Sequence, residues 1–242
     1  MTASAILEER TARRVTPALF VLAILCFFFT FAGVSCNTDQ AKATVQGAAS
    51  LGGATFDVAQ VDRCLDALKG DNLFSYSGFN LVFGTPPSGL ASTPAACASG
   101  ASSLPASSSA LPAGSQATLG VQPLALAAFI AIAGGVVVGV VAVLRRGRDS
   151  WRAFTSIVLS LTAIALLLLE QAHTNTAVVD KISNASTGAG VPFSVSSYIN
   201  FNSGTAYLVA LVVLGVAALY NAASALASVG RTPEAIRPPP AL

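Results

Sequence analysis

The sequence predicts an all-α integral membrane protein, a four-transmembrane-helix bundle with a large extracytoplasmic first loop and a smaller second loop. Three observations lead there. Hydrophobic residues make up 53% of the 242 residues and charged residues only 10%, whereas roughly a quarter of a soluble domain is charged. Four uncharged apolar windows approach the about 17 to 25 residues that a helix needs to cross a bilayer. Lys and Arg gather in the segments that a four-span path places on one side.

Residues 1–16 form the cytoplasmic N-terminus and carry Arg10, Arg13 and Arg14. The first span, 17–34, opens at Pro17, which a first helical turn tolerates, and holds Phe20, Phe27, Phe28, Phe29 and Phe31. A basic stretch followed by an apolar one is also the pattern of a cleaved signal, or of a lipidated cysteine at Cys36. Gly33-Val34-Ser35-Cys36 lacks the usual Leu three residues before such a cysteine, and the apolar stretch is long, so a retained span is the preferred reading.

Residues 35–122 form the first extracytoplasmic loop. Within it, Val58, Val61, Leu65 and Leu68 recur at helical spacing, with Asp57 placed to cap the first turn and Gly70 to close the last, so 57–69 reads as a short amphipathic helix. Phe74, Tyr76, Phe79 and Phe83, with Phe193, Tyr198 and Phe201 in the second loop, read as an interfacial aromatic belt or as mutual packing of the two loops. Residues 98–118 are Ser, Ala, Pro and Gly without charge, the composition of a flexible tether.

The second span, 123–144, opens at Pro123 and stops at Arg145, and residues 145–152 form a basic cytoplasmic turn. The third, 153–169, is only just long enough to cross. Residues 170–204 form the second outer loop, the fourth span is 205–229, and 230–242 is a cytoplasmic tail with Arg231 and Arg237. Both termini therefore lie inside. The preference for Arg over Lys and the abundance of Ala and Gly fit a GC-rich bacterial source, hence a bacterial plasma membrane.

Helix packing is expected at Ala127, Ala131, Gly135 and Gly139, which fall at steps of four in the second span, and at Ser156 and Ser160 in the third. Small residues on one stripe let helix backbones approach closely, within the bundle or against a partner. Asn221, the strongly polar side chain deep in a span, calls for an interhelical hydrogen bond; with Tyr220 and Glu170 it alternatively lines a polar pathway. Glu170 itself reads as a solvated interfacial carboxylate.

Three cysteines face an oxidising compartment, so one disulfide is expected. Cys36 with Cys64 is favoured, and Cys64 with Cys97 is the alternative. The chain has a single histidine, His173, three residues after Glu170. A bundle metal site would need a second Glu-x-x-His and two further glutamates. No phosphate-binding loop or catalytic triad is written in the sequence. No enzyme, cofactor or metal is expected, and the scattered basic residues do not make a nucleic-acid surface.

Phe29-Thr30-Phe31-Ala32-Gly33-Val34-Ser35-Cys36 and Gly78-Phe79-Asn80-Leu81-Val82-Phe83-Gly84 resemble a set of uncharacterised bacterial multi-span membrane proteins. The resemblance covers about the first third of the chain and implies no activity or site residues. The loop layout is also similar to that of claudin-like tetraspan proteins, whose Gly-Leu-Trp signature is absent here. The expected function is that of a non-enzymatic accessory or scaffolding subunit, in contact with membrane lipid, that docks a partner protein or forms a homo-oligomer. The alternative is a small-solute or ion transport component.

Overall fold

The computed structural model describes residues 3–50, 57–89, 97, 118–144, 149–188 and 198–229. Its elements in chain order are α1 (Ala3–Cys26), β1 (Thr30–Cys36), α2 (Thr38–Ser50), α3 (Val58–Ala67), β2 (Asn72–Ser77), α4 (Gly78–Phe83), β3 (Ser88–Gly89), α5 (Pro123–Leu144), α6 (Asp149–Gly188), β4 (Ile199–Ser203) and α7 (Thr205–Val229). The chain is mostly helical. Pro123–Leu144, Trp151–Asp180 and Thr205–Leu226 are three helical stretches long and apolar enough to cross a membrane, and they mark a multi-pass membrane protein. The tether at 98–117, the Arg cluster at 145–148 and the tail at 230–242 lie outside the described residues.

The residues fall into two compact units. One, the helical unit, comprises Met1–Ile24, Ala127–Ala165 and Ala210–Leu242; the other, the sheet-bearing unit, comprises Leu25–Leu126 and Leu166–Val209.

In the helical unit, stretches of α1, α5, α6 and α7 share a core of small and apolar side chains, with Phe20, Ala23, Ile132, Ala163, Leu214 and Ala217 fully buried. The packing is close because α5 presents glycine. A Cβ at Gly135 would collide with the Phe20 ring, and one at Gly139 would come within 2.9 Å of Pro17 Cβ. The small-residue stripe of α5 is thus occupied by α1 of the same chain. It runs through Ala128, Ala131, Gly135 and Gly139, all buried, while Ala127 is only half-buried at its margin.

In the sheet-bearing unit, β1 is a central strand, and the four strands lie in the order β3-β2-β1-β4. Both flanking pairings are antiparallel, with Val34 opposite Phe74 on β2 and Phe201 on β4. This corrects the first span. The apolar run 17–34 is helical only to Cys26; Phe28 and Phe29 donate to the Leu25 and Cys26 carbonyls at 3.2 and 3.0 Å, a tight last turn, and the chain then becomes strand. A hydropathy count cannot tell a buried strand from a helix within one apolar run. Aromatic and β-branched residues favour the strand, and β1 finds partners on both edges, with Ala32, Gly33, Val34 and Ser35 paired to β2 and to β4. Pro17 likewise does not open the helix but lies inside it, since α1 begins at Ala3. Gly204 is obligatory at the junction of β4 and α7: its N–H donates to the Phe31 carbonyl at 2.7 Å, and a Cβ there would overlap the Thr30 carbonyl.

Helix α3 forms as its pattern dictates, with the Asp57 side chain accepting from the Ala59 amide at 3.0 Å and Gly70 at φ +90° beyond its end. It lies beside α2, a helix the sequence reading leaves as loop. Lys42 bridges to Asp66 at 2.6 Å and Lys69 to Asp39 at 3.6 Å. The disulfide joins Cys64 to Cys97. The favoured Cys36–Cys64 pairing does not form, because Cys36 is held as the last residue of the central strand opposite Ile199.

Helix α4 has a capping box, Ser77 with Asn80, and ends at Gly84 in the left-handed region at φ 66°. A Cβ at Gly84 would lie 2.7 Å from the Val121 nitrogen, and the Gln122 amide donates to the Leu81 carbonyl at 2.9 Å, which fixes the entry to α5.

Helix α6 is 40 residues long, so the helix continues past 169 and 170–204 is not a loop throughout. The signal is present in the sequence. Ala163, Leu167, Glu170, Thr174 and Val178 continue a stripe at three- and four-residue steps, and all five are buried. Glu170 and Thr174 are polar, and so read as the end of the apolar run.

Candidate functional site

The side chain that most demands explanation is Glu170, in the sheet-bearing unit. It is 3% exposed, which corrects its reading as a solvated carboxylate. A buried carboxyl is costly unless its oxygens are bonded. One is: Oε1 accepts from Thr174 Oγ1 at 2.8 Å, one turn along α6. Oε2 has no hydrogen-bond partner. The Ala125 amide, one of the first-turn donors of α5, faces the same carboxyl group. A helix N-terminus favours negative charge. Pro123 has removed one of the unbonded first-turn donors from that end, and the Leu126 amide already bonds the Gln122 carbonyl at 3.0 Å.

Glu170 also lines a cavity with Phe27, Phe31, Leu167, Thr174 and Tyr207. About 20 Å³ is open there to the centre of a water-sized sphere, room for one water. Its wall is almost wholly apolar. Tyr207 Oη donates to the Leu167 carbonyl at 3.3 Å, and its ring meets Phe31 edge-on with centroids 5.8 Å apart. Gln171 donates to Ser203 Oγ, which ties α6 to β4. Glu170 is thus a buried, incompletely bonded carboxyl group among the residues that line a small, largely apolar cavity.

The second polar cluster belongs to the helical unit. Asn221, 1% exposed, accepts from Thr16 Oγ1 at 3.2 Å through Oδ1 and donates to the Ala217 carbonyl at 2.7 Å through Nδ2. This is the interhelical bond that its position calls for, and Thr16 is the partner that sequence reasoning missed. Tyr220 is half-buried, and its carbonyl accepts from Ser224 Oγ at 2.9 Å. Ser156 and Ser160 are fully buried with unpartnered hydroxyls. The three residues of the polar-pathway reading are divided: Glu170 falls in the sheet-bearing unit, Tyr220 and Asn221 in the helical unit.

No family model, curated protein or solved structure matches this chain. The site geometry therefore carries the functional reading.

Of the free cysteines, Cys36 is half-buried, and burial pushes its thiol up, away from the low-pKa thiolate of a reactive cysteine. Among the described residues, no three His, Cys, Asp or Glu side chains gather as metal ligands would.

Proposed function

We propose that this chain is a four-span membrane protein with both termini in the cytoplasm, acting as a non-enzymatic accessory or scaffolding subunit that docks a partner complex or a second copy of itself. The Arg residues at 10, 13 and 14, at 145, 146, 148 and 152, and at 231 and 237 support the orientation, and their abundance supports a bacterial plasma membrane.

The observation that carries the scaffolding reading is the state of Asn221. Its amide is committed on both sides, to Thr16 and to the Ala217 carbonyl, so the deepest polar group of the helices serves packing instead of offering ligands to a passing solute. The α5 glycines serve packing too. Partner contact then falls to other surfaces, such as the exposed Val137 and Val140 of α5 or Val212 and Leu219 of α7. The test is gentle extraction followed by native mass spectrometry. A stoichiometric partner or a defined homo-oligomer is the expected result; a monodisperse monomer in native-like lipid refutes it.

One observation favours the ion-handling alternative: Oε2 of Glu170 is buried and unpartnered, and the residue is one of those that line a water-sized cavity, and acids at membrane depth are functional by default. On that reading, Glu170→Gln abolishes a proton- or cation-coupled flux in reconstituted vesicles while the protein stays folded. Unchanged flux removes the alternative.

A further inference from the structure

The apolar part of α1 is short. Val15–Cys26 is twelve residues, about 18 Å at 1.5 Å per residue, against a hydrocarbon core of about 30 Å. Yet no charged residue occurs anywhere in 15–38 or in 72–89. Where α1 stops, four phenylalanines of the sheet-bearing unit stand open: Phe28, Phe29, Phe79 and Phe83 are 60, 65, 38 and 50% exposed. Three of them form a preassembled patch, Phe28 stacked on Phe79 with centroids 5.6 Å apart and Phe79 against Phe83 at 4.4 Å, and Phe29 is the next residue in the chain after Phe28. The other two aromatics of that run behave differently, with Tyr76 buried and Phe74 half-buried in the sheet.

A contiguous exposed apolar patch marks a contact surface. Lipid requires that backbone polar groups be bonded internally, and several here are. The amides of Phe28 and Phe29 bond the last turn of α1, the Phe79 amide donates to the Phe27 carbonyl at 2.8 Å, and the Leu81 carbonyl accepts from Gln122. The start of α4 is closed by the Ser77–Asn80 box.

We infer that Phe28, Phe29, Phe79 and Phe83 form an aromatic wedge seated in the acyl-chain boundary of the bilayer. The wedge rests on the proposed first span. Its occupant is lipid and not a second protein because the patch continues in sequence from an apolar helix too short to cross alone and because 15–38 and 72–89 carry no charge to pair with a partner.

The test uses tryptophan fluorescence in vesicles of phosphatidylcholine brominated on the acyl chains. Trp151, the single native tryptophan, is first replaced by Phe. Reporters are then introduced singly as Phe83→Trp and Phe28→Trp, with Val212→Trp, 64% exposed on α7, as the lipid control and Ser88→Trp, exposed on β3, as the water control. The wedge predicts that both phenylalanine-site reporters lose most of their emission to bromolipid, as at Val212, and resist aqueous acrylamide. Quenching by acrylamide alone at positions 83 and 28, with Val212→Trp still quenched by bromolipid, overturns the wedge and leaves the membrane reading standing. Shielding from both quenchers overturns it in favour of a protein covering the patch. Loss of bromolipid quenching at Val212 as well overturns the membrane reading itself.

Discussion

Gly134 and Gly135 are neighbours on α5, yet the same substitution is expected to have opposite effects at the two. A Cβ at Gly134 would sit 3.8 Å from Leu159 Cδ1, an ordinary contact, while one at Gly135 would come within 2.6 Å of Phe20 Cδ1 and Cζ. Phe20 is fully buried, so its ring can yield only by disturbing the core around it. Replacing a helical Gly by Ala gains about 0.5–1 kcal/mol from reduced chain entropy, and that gain is shared by both sites. The difference between Gly134→Ala and Gly135→Ala therefore isolates the clash, about 1–3 kcal/mol for overpacking a close-packed interior. Measured as equilibrium unfolding in mixed micelles, Gly134→Ala should match or exceed the parent and Gly135→Ala should fall below it. Adding Phe20→Leu should recover part of the loss at Gly135, since the smaller side chain makes room. Equal stability of the two single variants would refute the claim that α1 packs on this stripe.

Three further outcomes follow from the geometry. In a double-mutant cycle, Thr16→Ala and Asn221→Leu should couple by about 0.6 kcal/mol and by no more than about 2 kcal/mol, the range for interhelical hydrogen bonds in membranes; strict additivity would remove the Thr16–Asn221 bond. Peptide mapping without reduction should find Cys64 joined to Cys97 and Cys36 as a free thiol, and replacing the pair by Ser should lower stability by about 2–4 kcal/mol. Burial pushes the Tyr76 hydroxyl up to about 12, whereas in the unfolded chain it ionises near 10. Between those values the unfolded state alone gives up the proton, so stability falls as pH rises through that window. Tyr76→Phe should flatten this alkaline decline, and an unchanged slope would refute the assignment.

How much of this was legible beforehand depends on the range of the forces involved. The membrane class, the bounds of α5 and α7, and α3 with its Asp57 cap were written locally: an uncharged apolar run, a proline at the first turn or a capping carboxylate acts within a few residues. The fate of residues 27–36 was not, because the same run of phenylalanines serves a helix or a strand, and the choice fell to β2 and β4, distant in sequence. The length of α6 was half legible in its continuing stripe, but a polar Glu170 and Thr174 disguise burial when the surrounding walls are unknown. The α5 glycines announced close packing without naming Phe20 and Pro17 as what fills them. Asn221 announced the need for a partner, while Thr16, 205 residues earlier, could be supplied only by the packed helices. Composition and short-range pattern thus determined which segments leave water. Tertiary structure decided strand against helix, which cysteines pair, and that the Glu170 carboxyl is buried, because each depends on groups brought together from distant parts of the chain.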